Sequence, residues 1–596
     1  MCTKGLRRHR RPNNFPNMTP MKKLLFLTLV SLLPGLASVL AQSTYTANPD
    51  QKRYVISDLG AVGDGKTVNT QAIQAAIDQC AAAGGGVLVV PKGTFLSGAL
   101  YFKQGVNLLV EKDAVLKSTS TMADFRPIYT RWEGTERYWT SAFLNFISVK
   151  DVEVSGEGTI DGSGQDFGGG RGRGAPGGAA GAGGLAAAGG PGARGGFNPA
   201  AGSGLTPDQL TTINNAFRKL LSSDDDAKAV LDKYPTNLLI TGGSAAPAAG
   251  TGRGGLPRGT TQQFTGPAPK VEDYYSLPLP TTTALNFAPD PTRLPPINAA
   301  GVRIPGGGGV APPRALVFQN CENVHVSGLH LLNEARWGFV FIYCQNVTAE
   351  KLSAYTESRI PSSDGMDVDS CKHVLISQCG FDDGDDDISI KSGKDEDGRR
   401  VNIPCEDIVI QSCRFGRGDG GAAMGSETSG GIRNVIVKDC VADTNNAAPV
   451  RIKTNITRGG VIENITYENI TYTGVQRAYE INLEWTSTPS SGVRMPPTLR
   501  NVKIINCSGT ANSAGIIHGV SDSLISNLTF ENCHLTTNTG LQIDNVTDDV
   551  KASAQGPGLK IEAANTDPII FRAAAGAPTG AEISGAVAPT AAPAQQ

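Results

Sequence analysis

The chain lacks an excess of charge of either sign: 53 Lys and Arg stand against 55 Asp and Glu over 596 residues, a formal net charge of −2. A chain-wide basic field able to hold nucleic acid or an anionic membrane surface is thereby excluded. Eleven cysteines are too sparse for a disulfide scaffold of this length. Histidine is scarce too, with six in all and none between His373 and His518. Neither a His-ligated zinc nor a Ser-His pair can be assembled from that segment. Only the run from Leu24 to Leu40 approaches a membrane span in length, and Pro34 and Gly35 interrupt it.

That run follows Met21-Lys22-Lys23 and ends at Val39-Leu40-Ala41, the layout of a secretory signal over 21–41, so export to the periplasm or beyond is expected, with no membrane span after its removal. Residues 1–20 read as an upstream segment ahead of it, consistent with a start codon placed too early. The 73 Gly and 36 Pro crowd between Phe167 and Pro313 and after Arg572. This composition predicts a Gly/Ala/Pro-rich insertion over 166–311 and a disordered tail over 551–596. Inside the insertion, Thr206-Pro207-Asp208-Gln209 opens a helical pattern, and a second short helix is expected from Asp224 to Lys233. The glycine run Gly250–Gly255 matches a dinucleotide fingerprint only formally, without the flanking strand and helix.

What is present elsewhere is a repeat. An Asn or acidic residue followed by alternating apolar positions returns in phrases starting at Cys321, Cys344, Cys371, Cys405, Ile432, Ile462, Leu499 and Ile525, which are 23, 27, 34, 27, 30, 37 and 26 residues apart. The alternation has period two and is rich in Val and Ile, so each phrase supplies strands that stack on the next at about 4.8 Å. The expected fold is an all-β parallel β-helix over 54–165 and 312–550. Its open first coil needs a lid, supplied by a helix over Val68–Ala83 capped by Asn69 or Thr70, with Gly84-Gly85-Gly86 leading to a strand at Val87–Val90. The aligned cysteines 379, 413, 440, 507 and 533 read as a buried ladder of small apolar groups rather than as disulfides. Sequons at Asn455, Asn464 and Asn469 fall out of the repeat phrase itself.

The chemistry gathers in residues 362–393. With Met366 and Val368 inward in one coil and Ile388 and Ile390 inward in the next, the offset is 22, which sets Asp364 beside Asp385 and Asp386 on the outer surface. One coil on lies Asp419, and one further lie Arg451 and Lys453, which places these cations about 10–14 Å along the axis from the carboxylates, two or three strand spacings. Clustered carboxyls cannot all ionise, so one keeps its proton to give a glycosidic oxygen while another activates water; the cations would hold a sugar acid. A solvated acidic face, inter-coil ion pairing, and a Ca²⁺ site from Asp382, Asp383 and Asp385–Asp387 are the competing readings.

Ser363-Asp364-Gly365, Gly384-Asp385-Asp386, Gly425-Ser426-Glu427-Thr428-Ser429-Gly430-Gly431 and Arg451-Ile452-Lys453 together resemble the polygalacturonase family, glycoside hydrolase family 28. Gly60-Ala61-Val62-Gly63-Asp64-Gly65 and Thr130-Arg131-Trp132-Glu133-Gly134 add to the likeness. The resemblance implies a right-handed β-helix, inverting hydrolysis of α-linked galacturonides in pectic poly- or oligosaccharide, no cofactor and no catalytic metal. It implies Asp385 as general acid, Asp364 and Asp386 as the groups that activate water, and Arg451 and Lys453 as binders of substrate carboxylate. Lys391 and Asp419 are taken as further substrate-binding residues, and the protein as a monomer. Gly418-Asp419-Gly420 departs from the family's Gly-His-Gly, Asp387 stands where Cys or a small residue is usual, and Trp337 is followed by Gly338-Phe339 in place of His-Pro. These departures make the cleft more acidic and leave open another pectic linkage, such as a rhamnogalacturonan, and a non-catalytic carbohydrate-binding solenoid; a Ca²⁺-dependent pectic lyase is the remaining alternative.

Overall fold

In the computed structural model the described residues are 50–167, 312–357, 360–443, 446–486 and 493–572. The expected signal over 21–41, the upstream segment, and the two helices and glycine run of the insertion lie outside them. Each coil alternates short strands with tight corners, as in Met366–Asp369, Lys372–Ser377 and Gly380–Asp382, after which Asp386–Lys391 opens the next turn. Equivalent strands pair in parallel down the axis and form a twelve-stranded sheet on one face, running from Arg53–Val55 to Ser526–Glu531. Two further ladders merge in the long strand Thr471–Asn482. The expected parallel β-helix is the observed fold, and its register runs on either side of the insertion, with Leu144 paired to Leu316 and Phe146 to Phe318.

The repeat phrase is explained at its corners. Asn323, Asn346, Asp407, Asn434, Asn464, Asn501 and Asn527 all have φ between 49° and 59°, the left-handed region that short amide and acid side chains tolerate best. Their side chains then bond along the stack: Asn464 donates to Asn434 at 3.0 Å, Asn501 to Asn464 at 3.1 Å and Asn527 to Asn501 at 2.8 Å. Sequons at Asn464 and Asn469 are therefore by-products of corner geometry, and Asn455 is buried with its amide on the Trp485 carbonyl.

Between the faces, Phe102, Phe146, Phe318 and Phe341 stack with centroids 4.2, 4.6 and 5.1 Å apart. The cysteines at 379, 413, 440, 507 and 533 are free and buried, as the ladder reading requires. The lid is the helix Thr70–Ala82, with Ile73, Ala76, Ile77 and Cys80 buried. Its expected cap is corrected: Asn69 precedes the helix without capping it, because its amide accepts from the Val62 N–H and donates to the Val62 and Thr67 carbonyls. The strand after the glycines begins at Gly86.

The expected tail needs the larger correction. Its first part is ordered, since a helix Asp548–Gln555 and strands Leu559–Ala563 and Ile569–Phe571 close the C-terminal end of the stack. Val550 and Ala554 are buried there, so two apolar positions at helical spacing outweigh a polar, Ala-rich composition. Residues 573–596 lie outside the described residues.

Candidate active site

The strand ladder that carries the cluster runs Met366–Asp369, Asp386–Lys391, Gly420–Met424 and Val450–Lys453. Met366 pairs with Ile388, which is the offset of 22 read from the sequence. Asp364, Asp385 and Asp386 each bring a carboxylate oxygen within 4.8 Å of the others. The expected outer-surface placement is corrected in part: Asp364 and Asp386 are buried and only Asp385 is partly open. Such close approach needs glycine beside the acids, since a Cβ at Gly365 would lie 2.3 Å from Phe381 and 2.4 Å from the Asp383 carboxylate.

The cations are nearer than the coil count suggests. Arg451 reaches back to donate to Asp386 Oδ1 at 2.7 Å, and Lys453 Nζ lies 2.5 Å from Oδ2. The estimate of 10–14 Å described the backbone spacing; the side chains cross it. Gly420 gives them room, because a Cβ there would sit 2.7 Å from the Arg451 Cδ and 2.7 Å from Asp386 Oδ1. Behind Arg451, Glu480 forms an ion pair with its Nε at 2.9 Å without hydrogen-bond alignment. Trp485 lies under the Lys453 ammonium, 4.8 Å from the ring centroid.

Lys391 is placed differently from a substrate binder. It is 4% exposed and lies 3.6 Å from Asp364, 3.4 Å from Asp367 and 3.3 Å from Glu427, above the Trp337 ring at 4.9 Å. It holds the Asp364 side of the cluster in place. Trp337 in turn packs on Trp132 at 4.6 Å, and Trp132 stacks on Trp139 at 4.9 Å, which docks the hairpin Pro127–Trp132/Thr135–Thr140 beside the cluster. Arg131 of that hairpin pairs with buried Asp369 at 2.8 Å.

These surroundings separate the three acids. Burial raises the Asp385 pKa, and Asp386 and Asp419 raise it further, against Lys453 and Lys391. Asp364 is also raised well above the usual carboxylate range by burial, with Asp367 and Asp385 adding to it against Lys391. Burial would raise Asp386 as well, yet Lys453 and Arg451 outweigh it and hold that carboxyl well below the usual range. Ser389 adds a hydroxyl donated to Asp386 Oδ2 at 2.8 Å. One proton-bearing and one ionised carboxyl side by side is the pattern of an acid and base pair. A cation could also be sought among three such oxygens, but both Asp386 oxygens already face cations.

Asp419 stands where expected, one coil beyond Asp385, with its N–H donating to the Asp385 carbonyl at 2.7 Å. Sequence reasoning missed Asp367, Glu427, Glu480, Trp337 and Trp485 as parts of this site. Glu427 lay within a quoted motif, Trp337 at a quoted departure and Asp367 within the acid-rich segment, each without an assigned role, and Glu480 and Trp485 sit singly in ordinary strand or loop sequence.

The profile of Glycosyl hydrolases family 28 matches residues 306–554, and that of Rhamnogalacturonase A/epimerase, pectate lyase-like, matches residues 53–162. The coils that carry the acid cluster therefore lie within the region similar to glycosyl hydrolase family 28. An endo-polygalacturonase of Pectobacterium carotovorum subsp. carotovorum is 27% identical over 39% of this chain and 56% of its own length. An exo-poly-alpha-D-galacturonosidase of Dickeya chrysanthemi is 23% identical over 72% of this chain and 56% of its own. The chain thus spans just over half the length of these curated relatives. A solved exopolygalacturonase from Thermotoga maritima shares the fold at a TM-score of 0.58, with 24% identity, covering 86% of this chain and 95% of that one.

The Lys453 contact changes what its removal should do. At this site, Lys453→Met is expected to lower kcat about tenfold as well as raise KM, because Asp386 loses one of the two cations that contact it. The acidic limb of the pH–rate profile should move upward with it, since a carboxylate stripped of a cation protonates at higher pH. A rise in KM with kcat and the limb unchanged would leave Lys453 a substrate contact alone.

Proposed function

We propose that the chain is an exported glycoside hydrolase that cleaves α-linked galacturonide bonds in pectic chains with inversion. The observation that carries this reading is the split between Asp385, pushed up, and Asp386, held down, less than 4.8 Å apart. Asp385 protonates the glycosidic oxygen; Asp386, ionised, takes the proton of the water that attacks C1. Asp364 shares the proton load beside it.

Carboxyl groups this close are nearer the about 5–5.5 Å of retaining enzymes than the about 6.5–9.5 Å of inverting ones. Engagement of Asp386 argues for inversion nonetheless. Attack by its own oxygen on C1 would pull that oxygen away from Arg451 or Lys453, whereas accepting a proton from water needs only a spare lone pair, which a carboxylate retains. A lyase would need a base and a metal rather than a protonated acid beside the leaving group.

The test is reducing-end release from a panel of pectic oligosaccharides, with and without chelator, and proton NMR of the first-formed anomer. Hydrolysis insensitive to chelator, with the β-anomer appearing first, is expected. An unsaturated product lost with chelator would establish the lyase, and no release at all the binder.

A further inference from the structure

We propose that the groove over the acid cluster is blind on the side of the hairpin Pro127–Trp132/Thr135–Thr140, so that the enzyme trims its chain from one end instead of cutting within it. The inference rests on the hydrolase reading above and deepens it. The groove floor is made by the residues that alternate with inward Met366 and Val368 and with their equivalents along the ladder. Ahead of the acids these outward positions are Val317, Val340, Ile342, Asp367 and Asp369, and none is more than 1% exposed. Beyond Arg451 and Lys453 the same two rows continue through Asn482, Ile516, His518 and Gln542, all partly open. The floor is covered on one side of the cluster and bare on the other.

The cover is the hairpin. Its Trp132 and Trp139 pack with Trp337 onto Val317, Val340 and Ile342, and Arg131 reaches down to Asp369. Its turn is fastened to the loops that follow the acid-bearing strand: Gly134 accepts from the Lys394 N–H at 2.8 Å, and a Cβ there would lie 2.7 Å from the Glu427 Cγ. Glu136 takes the Arg400 guanidinium at 2.5 Å and donates its N–H to Asp397 at 2.8 Å. Trp337 precedes the acid-bearing strand and Lys394 and Glu427 follow it, so the hairpin is anchored on both sides of the groove. A chain threading beneath would have to unstack three buried tryptophans and part a buried ion pair, which makes the hairpin a fixed wall. The wall stands close to the acids, because the Gly338 N–H, next to Trp337, donates to the Asp364 carbonyl at 2.8 Å. One strand spacing, about 4.8 Å, leaves room for about a single sugar ring. The polar groups at this blind end are exposed Glu133 and partly open Arg336, an acid and a cation that face each other, so the terminal ring meets hydroxyl partners without a net charge.

The experiment follows early digests of the pectic chain that the parent cleaves, as long oligosaccharides and as polymer, by chromatography and viscometry. One short product of fixed length, the monomer, is expected in at least about tenfold excess over every intermediate length, with polymer viscosity nearly unchanged while reducing ends appear. A label on one chain end shows which end is trimmed. Trp132→Ala, which unpins the hairpin, should raise the intermediate lengths at least about threefold relative to the monomer; Arg400→Ala, which unties its turn from the far side, is the second variant should the first fold poorly. A ladder of intermediate lengths with an early fall in viscosity in the parent, or a product pattern unmoved in both variants, overturns the inference and leaves the hydrolase standing. Absence of cleavage on every pectic chain overturns the hydrolase reading and the inference with it.

Discussion

Asp385→Asn is expected to lower kcat by at least about 10²-fold on whichever pectic oligosaccharide the parent cleaves, with KM little changed. General acid assistance contributes roughly that much or more to bond breaking, and an amide cannot supply the proton. The swap is close to isosteric. Asp385 is partly open, its backbone carbonyl keeps the Asp419 N–H, and its side-chain oxygen keeps the Asp386 N–H at 3.1 Å, so the thermal transition should be retained. Substrates with a good leaving group, which need less protonation, should lose far less. Unchanged turnover on the natural linkage would remove Asp385 from the acid role. Asp386→Ala separates the two carboxyls by a different readout: it leaves Lys453 without its buried anion and Arg451 with Glu480 alone, so stability should drop by about 3–5 kcal/mol along with activity.

The contrast between those two acids shows how far the sequence could be read. Period-two alternation and the spacing of the repeat were enough for the solenoid, because stacking leaves a strand no other way to hide its apolar face. Counting 22 residues from Met366 to Ile388 placed Asp364 beside Asp385 and Asp386 without any structure. What counting misses is the reach of long side chains. Arg451 and Lys453 are two coils from Asp386 by backbone and in contact with it by side chain, through the gap that Gly420 leaves. Lys391 looked like an outward cation and is instead sealed by Glu427 and Asp367, one of which lies in a loop 36 residues on. Partners like these leave no local pattern, since each is set by how loops fold over the ladder. The C-terminal cap was missed for the converse reason, a short helix whose few apolar positions are diluted by Ala, Ser and Lys.

The stack should become less stable as pH rises from about 5 to 8, opposite to the trend of a protein whose carboxylates are mostly ion-paired. Glu334 and Asp383 are fully buried with both carboxylate oxygens lacking a hydrogen-bond partner, and Asp387 has the Asn446 amide on one oxygen only. Burial pushes all of them well above the usual range; Asp387, Glu334, Asp364 and Asp385 add to the effect at Asp383, and Arg417 opposes it at Glu334. Asp367, buried beside Lys391, Asp386 and Glu427, is pushed up to about 8. In the unfolded chain these groups ionise near pH 4, so between about 4 and 8 the native state binds more protons than the unfolded one. Their contribution is full below the unfolded pKa and is lost as pH climbs through the folded values. Asp386 and Glu427 behave oppositely: their ion pairs stabilise the fold above the unfolded pKa, and that gain is lost only as pH falls below it, outside the window. A thermal midpoint on the order of 5 °C higher at pH 5 than at pH 8 follows, measurable by calorimetry in buffers of matched ionic strength. Asp383→Asn keeps the shape of the protonated side chain and removes its titration, so it should flatten the slope and raise the midpoint at pH 8. A midpoint that rises towards pH 8 in the parent would mean that these carboxyls are ionised and compensated in solution, by a bound cation or by water.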